Sequence, residues 1–403
     1  MEMRKIPFSP PDISEHEIEY VTDILRSGWI TTGPKTKELE QRLKEYLGVN
    51  AIACLGSATA SLELALRVLG IGAGDEVITC AYTYTATAAV IDHVGAQIVF
   101  VDCMENSTEL DYDALENAIT EKTKAVIPVD LGGIPCDYDR IFEIVERKKA
   151  LFRPQSEYQK KMGRAAVIAD SAHALGAEYK GRKIGTVADF SAFSFHAVKN
   201  LTTAEGGALA WNGIDGVSNE ETYSLIQHLS LHGQSRDAYL KSELGSWEYD
   251  IIGTWYKCNM TDILAGVGLA QLERYPELLK KRRAYIEKYD AALKPLGVQT
   301  PEHYNAEHTS SGHLYLTRIP GITDGERREI IVKMAERGIA TNVHYKPLPM
   351  MTAYKNLGFD IKDFPNARAY YENEITLPLY TRLTDEDVEY IIENYTSIIK
   401  EYL

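Results

Sequence analysis

Lys199 stands between the aromatic run "FSFHAV" and the turn "NLTTAEGG", a setting unlike that of an ordinary solvated lysine. An amine held out of water is a nucleophile that forms a Schiff base with an aldehyde. Other chemically capable groups occupy comparable places earlier in the chain. "AIACL" leads into "GSATAS", where small residues and the Thr59 hydroxyl open a helix suited to a phosphate. "DEVITC" leads into "AYTYTAT", with Tyr82 and Tyr84 as candidate aromatic plates. "AAVIAD" ends at Asp170, with His173 in the "SAHALG" that follows, and "DFSAFSF" precedes His196 and Lys199. Taken singly, each has a plain structural reading: a turn, a core tyrosine, a helix cap, a satisfied histidine, a solvated lysine.

They act together only if the elements before them lie side by side. Short β-rich runs alternate with longer amphipathic ones through the first half of the chain. "AIACL", "DEVITC", "QIVFVD", "KAVIPVD", "AAVIAD", "DFSAFSF" and "GGALAWN" read as strands; "TASLELALRVLG", "TATAAVIDHV", "DYDALENAIT" and "DYDRIFEIVERKK" read as helices. The pattern predicts an α/β fold, with a mostly parallel sheet covered by helices on both faces. Ahead of it, "SEHEIEYVTDILRSG" predicts a helix capped by Ser14 and Glu17 with Ile18, Val21 and Leu25 on its apolar face. "TKELEQRLKEYLG" predicts a second, closed by Gly48. Residues 153–164, "RPQSEYQKKMGR", interrupt the rhythm and read as a solvated loop or helix extension. From about residue 270 a long helix, strands at "GHLYLTRI" and "ATNVHY", the helix "DGERREIIVKMAERG" and a Thr384-capped terminal helix predict a smaller α+β domain. The division is placed between residues 1–265 and 266–403.

In open α/β sheets, ligands bind beyond the carboxyl ends of the strands. A phosphate cradle, an aromatic plate, a carboxylate and an amine on one rim are the groups that pyridoxal 5′-phosphate requires. Its aldehyde needs the amine, and its pyridine nitrogen needs a facing carboxylate to stay protonated as an electron sink. Its ring takes an aromatic neighbour, and its phosphate takes N–H and hydroxyl donors.

Composition narrows the function classes. The 403 residues are 45% hydrophobic and 25% charged, with a formal net charge of -15. Acidic balance without a basic run argues against nucleic acid and anionic membrane as partners. The start turns polar at once and no apolar run is long enough to span a bilayer, which predicts a cytoplasmic protein. The five cysteines are scattered without CxxC spacing and read as reduced, packed thiols, so no metal site is expected.

Seven stretches, "GWITTGPK", "GDEVIT", "YTYTAT", "ADSAHALGAEYKGRKIG", "FSFHAVKNLTTAEGG", "NMTDILAGVGLAQL" and "LPLYTRLTDEDV", occur in an order that resembles the DegT/DnrJ/EryC1/StrS family of sugar aminotransferases. "FSFHAVKN" and "YKCNMTDI" resemble most the branch that aminates UDP-linked 4-keto sugars. The resemblance implies the fold type I architecture of pyridoxal-phosphate aminotransferases and a homodimer with shared active sites. It implies a nucleotide-linked keto sugar as acceptor, glutamate as donor, and a ping-pong exchange. It assigns the Schiff base to Lys199, the pyridine-nitrogen carboxylate to Asp170, a place near the ring oxygen to His173, and stacking to Tyr84. Phosphate contacts fall to Ser194, to Thr59 and to the backbone around Ala58 and Ala60. Asn259 matches a contact supplied by the neighbouring subunit. For His196, substrate contact and simple packing are both open. His344 and Tyr345, in "NVHYKPL", are candidate sugar contacts, and Arg236 is a loose candidate for gripping a carboxylate. Sugar dehydratases on the same scaffold carry histidine at the lysine position, which Lys199 opposes. A non-enzymatic regulatory member of the family is the remaining alternative.

Overall fold

A computed structural model of the chain describes residues 4–235 and 248–403. The apolar runs form strands β1 (Ala51–Leu55), β2 (Glu76–Cys80), β3 (Gln97–Val101), β4 (Thr123–Ile127), β5 (Ala166–Asp170), β6 (Phe190–Ser194) and β7 (Gly207–Trp211). They make one seven-stranded sheet in the order β1-β7-β6-β5-β4-β2-β3. The pairs β2/β3, β2/β4, β4/β5 and β5/β6 are parallel, and β7 is antiparallel to both β1 and β6. Every residue of β4, β5 and β7 is buried, as a sheet covered on both faces requires. The carboxyl ends of β1, β4, β5 and β6 therefore share one rim, joined there by the start of β7.

Helices α1 (Glu15–Ser27) and α2 (Pro34–Leu47) precede the sheet, and α3 (Ala58–Val68) and α4 (Thr85–His93) follow β1 and β2. The "TTGPK" and "NMTD" stretches meet because the buried Asp262 carboxylate caps α2. It accepts from the Gly33 and Thr36 N–H groups at 2.8 and 2.9 Å and from the Thr36 hydroxyl at 2.7 Å. A carboxylate at a helix N-terminus satisfies donors that have no partner within the helix.

A helix of 32 residues, Asp262–Leu293, runs unbroken past residue 266. Tyr275 and Leu278 on it pack into the core of the sheet. Tyr285, Ile286, Tyr289 and Leu293 pack into a second core with Ile330, Val388, Ile391 and Tyr395. That second core lies beneath the antiparallel pair Tyr315–Arg318 and Glu374–Leu377, with helices Asp324–Glu336 and Asp385–Ile399 against it. Thr384 caps the last helix, reciprocally with Asp387. Among the described residues no helix is long and apolar enough to cross a membrane.

Three details differ from the sequence pattern. "ATNVHY" is not a strand: Asn342 bridges Thr376, and the rest leaves the sheet toward the cavity described below. Helix α1 has the predicted capping box, but it buries Glu17 and Ile24 while Ile18 and Leu25 are exposed. Glu17 tolerates burial because Ser14, Gln271 and Arg274 all donate to it. Residues 153–164 contain a short helix, Glu157–Met162, that is largely exposed, as expected, but anchored at two side chains. Ser156 Oγ and Gln159 Nε2 both donate to the Leu69 carbonyl, at the end of α3 far from its N-terminus. The insertion thus braces the back of α3 and lies away from the strand-end rim.

Candidate active site

Ser57 sets the first wall. It caps α3, its Oγ accepting from the Ala60 N–H at 3.0 Å. Ala58 and Thr59, in the same first turn, have no carbonyl acceptor within the helix. Their N–H groups and the Thr59 hydroxyl therefore remain for an anion, whereas the Ala60 N–H is already held. The start of β7 lies directly against this turn. A Cβ on Gly207 would sit 2.4 Å from the Ala58 nitrogen, so glycine is what permits the close approach. Ser194, closing β6, accepts weakly from the His196 N–H at 3.4 Å and keeps its own hydroxyl proton.

Lys199 belongs to the loop between β6 and β7. The loop is tied at its base by Phe195 and Thr203, which bond to Gly206 and Phe195 carbonyls. Asn200 pins its far side, donating to the Ser311 carbonyl and pairing with His313 Nδ1 at 2.9 Å. Burial lowers the pKa of the Lys199 amine to about 8, with Asp170 pulling the other way. The neutral amine is the form that attacks an aldehyde. Cofactor capture by the cofactor-free chain is therefore expected to accelerate with pH through about 8, where an ordinary lysine would need 10.5. Stopped-flow absorbance checks this; a midpoint at the ordinary value would show that burial does not act on the amine.

Asp170, at the end of β5, is buried and its pKa is raised by that burial. Its Oδ2 accepts from the Thr87 hydroxyl at 2.6 Å and its Oδ1 from the Ala172 N–H at 3.2 Å. Thr87 pairs in turn with Thr83 at 2.8 Å. Three residues on, His173 Nδ1 accepts from the Gly132 N–H at 3.1 Å, so the proton of the neutral ring sits on Nε2. Burial and then the Lys199 charge hold His173 neutral, well below the ordinary histidine pKa. Nε2 lies 3.3 Å from the Tyr345 hydroxyl.

These groups surround one cavity of about 530 Å³. Ala58, Thr59, Tyr84, Asp170, His173, Ser194, His196, Lys199, His344 and Tyr345 all line it, so most of the sequence candidates converge. Tyr84 is 57% exposed and its ring is 5.7 Å from that of Tyr345, which leaves a face open to the cavity. Tyr82 is core, fully buried, its hydroxyl on the His344 carbonyl. Exposed His196 stands at the mouth, 3.6 Å from Glu205. Ala60 and Asn259 are not among the lining residues. Asn259 bridges Leu55 beside the cradle and donates to the Thr32 hydroxyl. Arg236 lies outside the described residues. Among the described residues no arginine lines the cavity.

Thr87, Thr83, Glu205 and Asn342 were not anticipated. Thr83 and Thr87 share the "YTYTAT" stretch with Tyr84, and their spacing of four across the start of α4 brings the two hydroxyls together. That spacing was the available signal. Glu205 and Asn342 sit in irregular segments and left none.

The groups fit pyridoxal phosphate: an amine and a carboxyl lining one cavity, an open aromatic face, and unpaired helix-start N–H groups. Comparison with known proteins agrees. SpsC of Bacillus subtilis, a spore coat polysaccharide biosynthesis protein, is 39% identical, with 98% of this chain and 97% of that one covered. The UDP-4-amino-4-deoxy-L-arabinose–oxoglutarate aminotransferase of Shewanella sediminis is 36% identical, with 98% of each covered. Spr1654 of Streptococcus pneumoniae, solved in a PMP form, superposes with a TM-score of 0.97 at 56% identity, covering 99% of this chain and all of that one. Residues 11–396 match a single family description, and the chain belongs to the DegT/DnrJ/EryC1/StrS aminotransferase family.

Proposed function

We infer that the chain is a pyridoxal-phosphate-dependent sugar aminotransferase that moves an amino group from glutamate to a UDP-linked 4-keto sugar by a ping-pong exchange. The observation that carries this is the convergence of Lys199 and Asp170 on one cavity with the open start of α3. Support for the cofactor comes from Spr1654, solved in PLP and PMP forms. Support for the sugar comes from the Shewanella relative, and from the lack of a described arginine to grip a second α-carboxylate in the cavity.

When bound, the cofactor stores the donor's amino group between the two halves of the exchange. Lys199 would hold it covalently and, once released, carry a proton to and from the substrate carbon. Asp170 would keep the pyridine nitrogen protonated, and His173 Nε2–H would donate to the ring oxygen. Tyr84 would cover one ring face. Thr59, Ser194 and the Ala58 N–H would hold the phosphate, while the Ala60 N–H, bonded to Ser57 Oγ, fixes the turn that presents them. His196, His344 and Tyr345 would face the sugar. The cradle belongs to a large domain, residues 1–265, and 266–403 form the smaller one.

Each site is completed by a second copy in a cytoplasmic homodimer, with Asn259 reaching the partner's phosphate cradle. Exposed apolar side chains support this: Ile13, Ile18 and Leu25 near α1, and Ile251, Ile252 and Tyr256 on the segment leading to Asn259. Sedimentation should give twice the 45.1 kDa of one chain; a fully active monomer would overturn the shared site. The function is tested by loading the enzyme with amine, then offering UDP-4-keto sugars and simple 2-oxo acids. Rapid return of the aldehyde form with a UDP-4-keto sugar is the expected result. Turnover of 2-oxo acids alone would sink the sugar assignment and leave the cofactor assignment standing.

A further inference from the structure

His344 lines the cavity, and the side chains behind it decide what it offers there. Its Nδ1 is 2.9 Å from the Thr376 hydroxyl oxygen. That hydroxyl is 2.5 Å from Glu374 Oε1. Glu374 Oε2 accepts from the His344 backbone N–H at 2.9 Å, a donor that cannot reverse. All three side chains are thus joined in a single file, Glu374 to Thr376 to His344, whose inner end is buried and whose outer end faces the cavity. Among the described residues no hydrogen bond is made to His344 Nε2.

A threonine hydroxyl has one proton to give. When Glu374 is ionised, Thr376 donates to it and must accept from His344 Nδ1–H, which leaves a bare lone pair on Nε2. When Glu374 carries a proton, it donates to Thr376, Thr376 donates to Nδ1, and Nε2 bears the N–H. The imidazole stays neutral in both states, because burial and the Lys199 charge hold its pKa at about 3. We propose that Glu374, acting through the Thr376 hydroxyl, sets whether His344 offers an N–H to the keto oxygen of the sugar acceptor. The ligand in this proposal rests on the sugar aminotransferase reading; the relay does not.

The keto oxygen is the sugar group that discriminates the two states. A hydroxyl can rotate to meet either an N–H or a lone pair, whereas a carbonyl oxygen only accepts. His344 is placed for the reacting carbonyl because it shares the cavity with the Lys199 amine and feels its charge. Glu374 ionises in a useful range. Burial raises it to about 8, against the pull of its bonds to Thr376 and the His344 N–H and of the Arg327 and Arg318 charges. Tyr82, Tyr345, Tyr370 and Tyr395 also surround it and are neutral below their own raised pKa values. His344 is faced by Lys199, by the stacked Phe8 ring at 5.4 Å and by Tyr345. Below the Glu374 pKa the keto oxygen meets a donor; above it, two lone pairs face each other.

Nitrogen NMR of the holoenzyme labelled in its histidines reads the tautomer directly, with His344→Asn identifying the signal. From about pH 6 to about pH 9.5 the wild-type His344 should pass from Nε2–H to Nδ1–H while staying neutral. Over the same range KM for the keto sugar should rise roughly tenfold, the worth of one hydrogen bond. Glu374→Gln should hold the Nε2–H form throughout. Its carbonyl stays on the His344 N–H, so its amide donates to Thr376, and the KM rise disappears. Thr376→Val, of the same shape, should cut the file and leave the tautomer indifferent to pH. A wild-type His344 with one tautomer across the range overturns the relay, as does an Nδ1–H form in Glu374→Gln. A tautomer that switches without any change in KM refutes the contact with the keto oxygen. If no nucleotide sugar reacts at all, the acceptor assignment fails, and the NMR series still decides the relay on its own.

Discussion

Lys199→Ala is expected to slow transamination by about ten-thousand-fold and to abolish the absorbance of lysine-linked cofactor. Two losses combine: the covalent attachment and the group that moves the proton at the substrate carbon. The amine sits in the cavity with a lowered pKa and faces Asp170 without a bond to it, so its removal breaks no packing network. Stability should not fall. A lysine whose folded pKa lies below its unfolded value penalises the fold while it is charged, up to about pH 8, and the penalty fades toward pH 10.5. The cofactor-free variant should therefore melt at or above the temperature of the cofactor-free wild type at neutral pH, with the difference shrinking as pH rises. Single-turnover kinetics with glutamate and a thermal melt separate the effects. Wild-type turnover in this variant would remove Lys199 from the chemistry.

The strand-end residues could be read from the sequence because the sheet is parallel where it matters. Once β1, β4, β5 and β6 are recognised as apolar runs, their carboxyl ends must share a rim. Ser57 to Thr59, Asp170 and Ser194 then follow from chain order alone. The side of the cavity built by residues 342–345 could not be read this way. "ATNVHY" has the alternation of a strand, yet only Asn342 pairs, with Thr376, before the chain turns in to bring His344 and Tyr345 to the cavity. Pairing across more than thirty residues leaves no local trace. Glu374 is hidden for the same reason: in sequence it is one charge before an apolar run, and only the fold places it behind His344. Helix α1 shows a different limit. Its period was right, but its apolar face was assigned outward-facing residues, because a carboxylate held by Ser14, Gln271 and Arg274 replaces apolar burial at Glu17. The exposed Ile18 and Leu25 belong to the surface proposed above for a second copy.

Asp170→Asn is expected to bind cofactor and to slow the glutamate half-reaction by about a hundred- to a thousandfold. The carboxyl is buried against the cavity, where a protonated pyridine nitrogen would be the partner that favours its charged form. Asparagine cannot supply that charge, and a neutral pyridine is a weaker electron sink. The substitution is unusually clean because of its neighbours. The Ala172 N–H is a fixed donor and must keep the amide oxygen, which turns the amide N–H₂ toward Thr87. The Thr87 hydroxyl can then accept and pass its own proton to Thr83, since that pair bonds equally well in either direction. The proton that Thr83 gave to Thr87 must then turn to the cavity, which Thr83 lines, and stability should change by about 1 kcal/mol. Asp170→Ala lacks this remedy: Thr87 and the Ala172 N–H both lose their acceptor, so it should be the less stable of the two. A rapid-mixing measurement of the half-reaction at saturating glutamate, beside thermal melts of both variants, tests the assignment. An unchanged rate in the asparagine variant would reduce Asp170 to a strand-end acceptor for Thr87 and Ala172. A large rate loss with a nearly unmoved melting temperature is the signature of a charge placed for the cofactor.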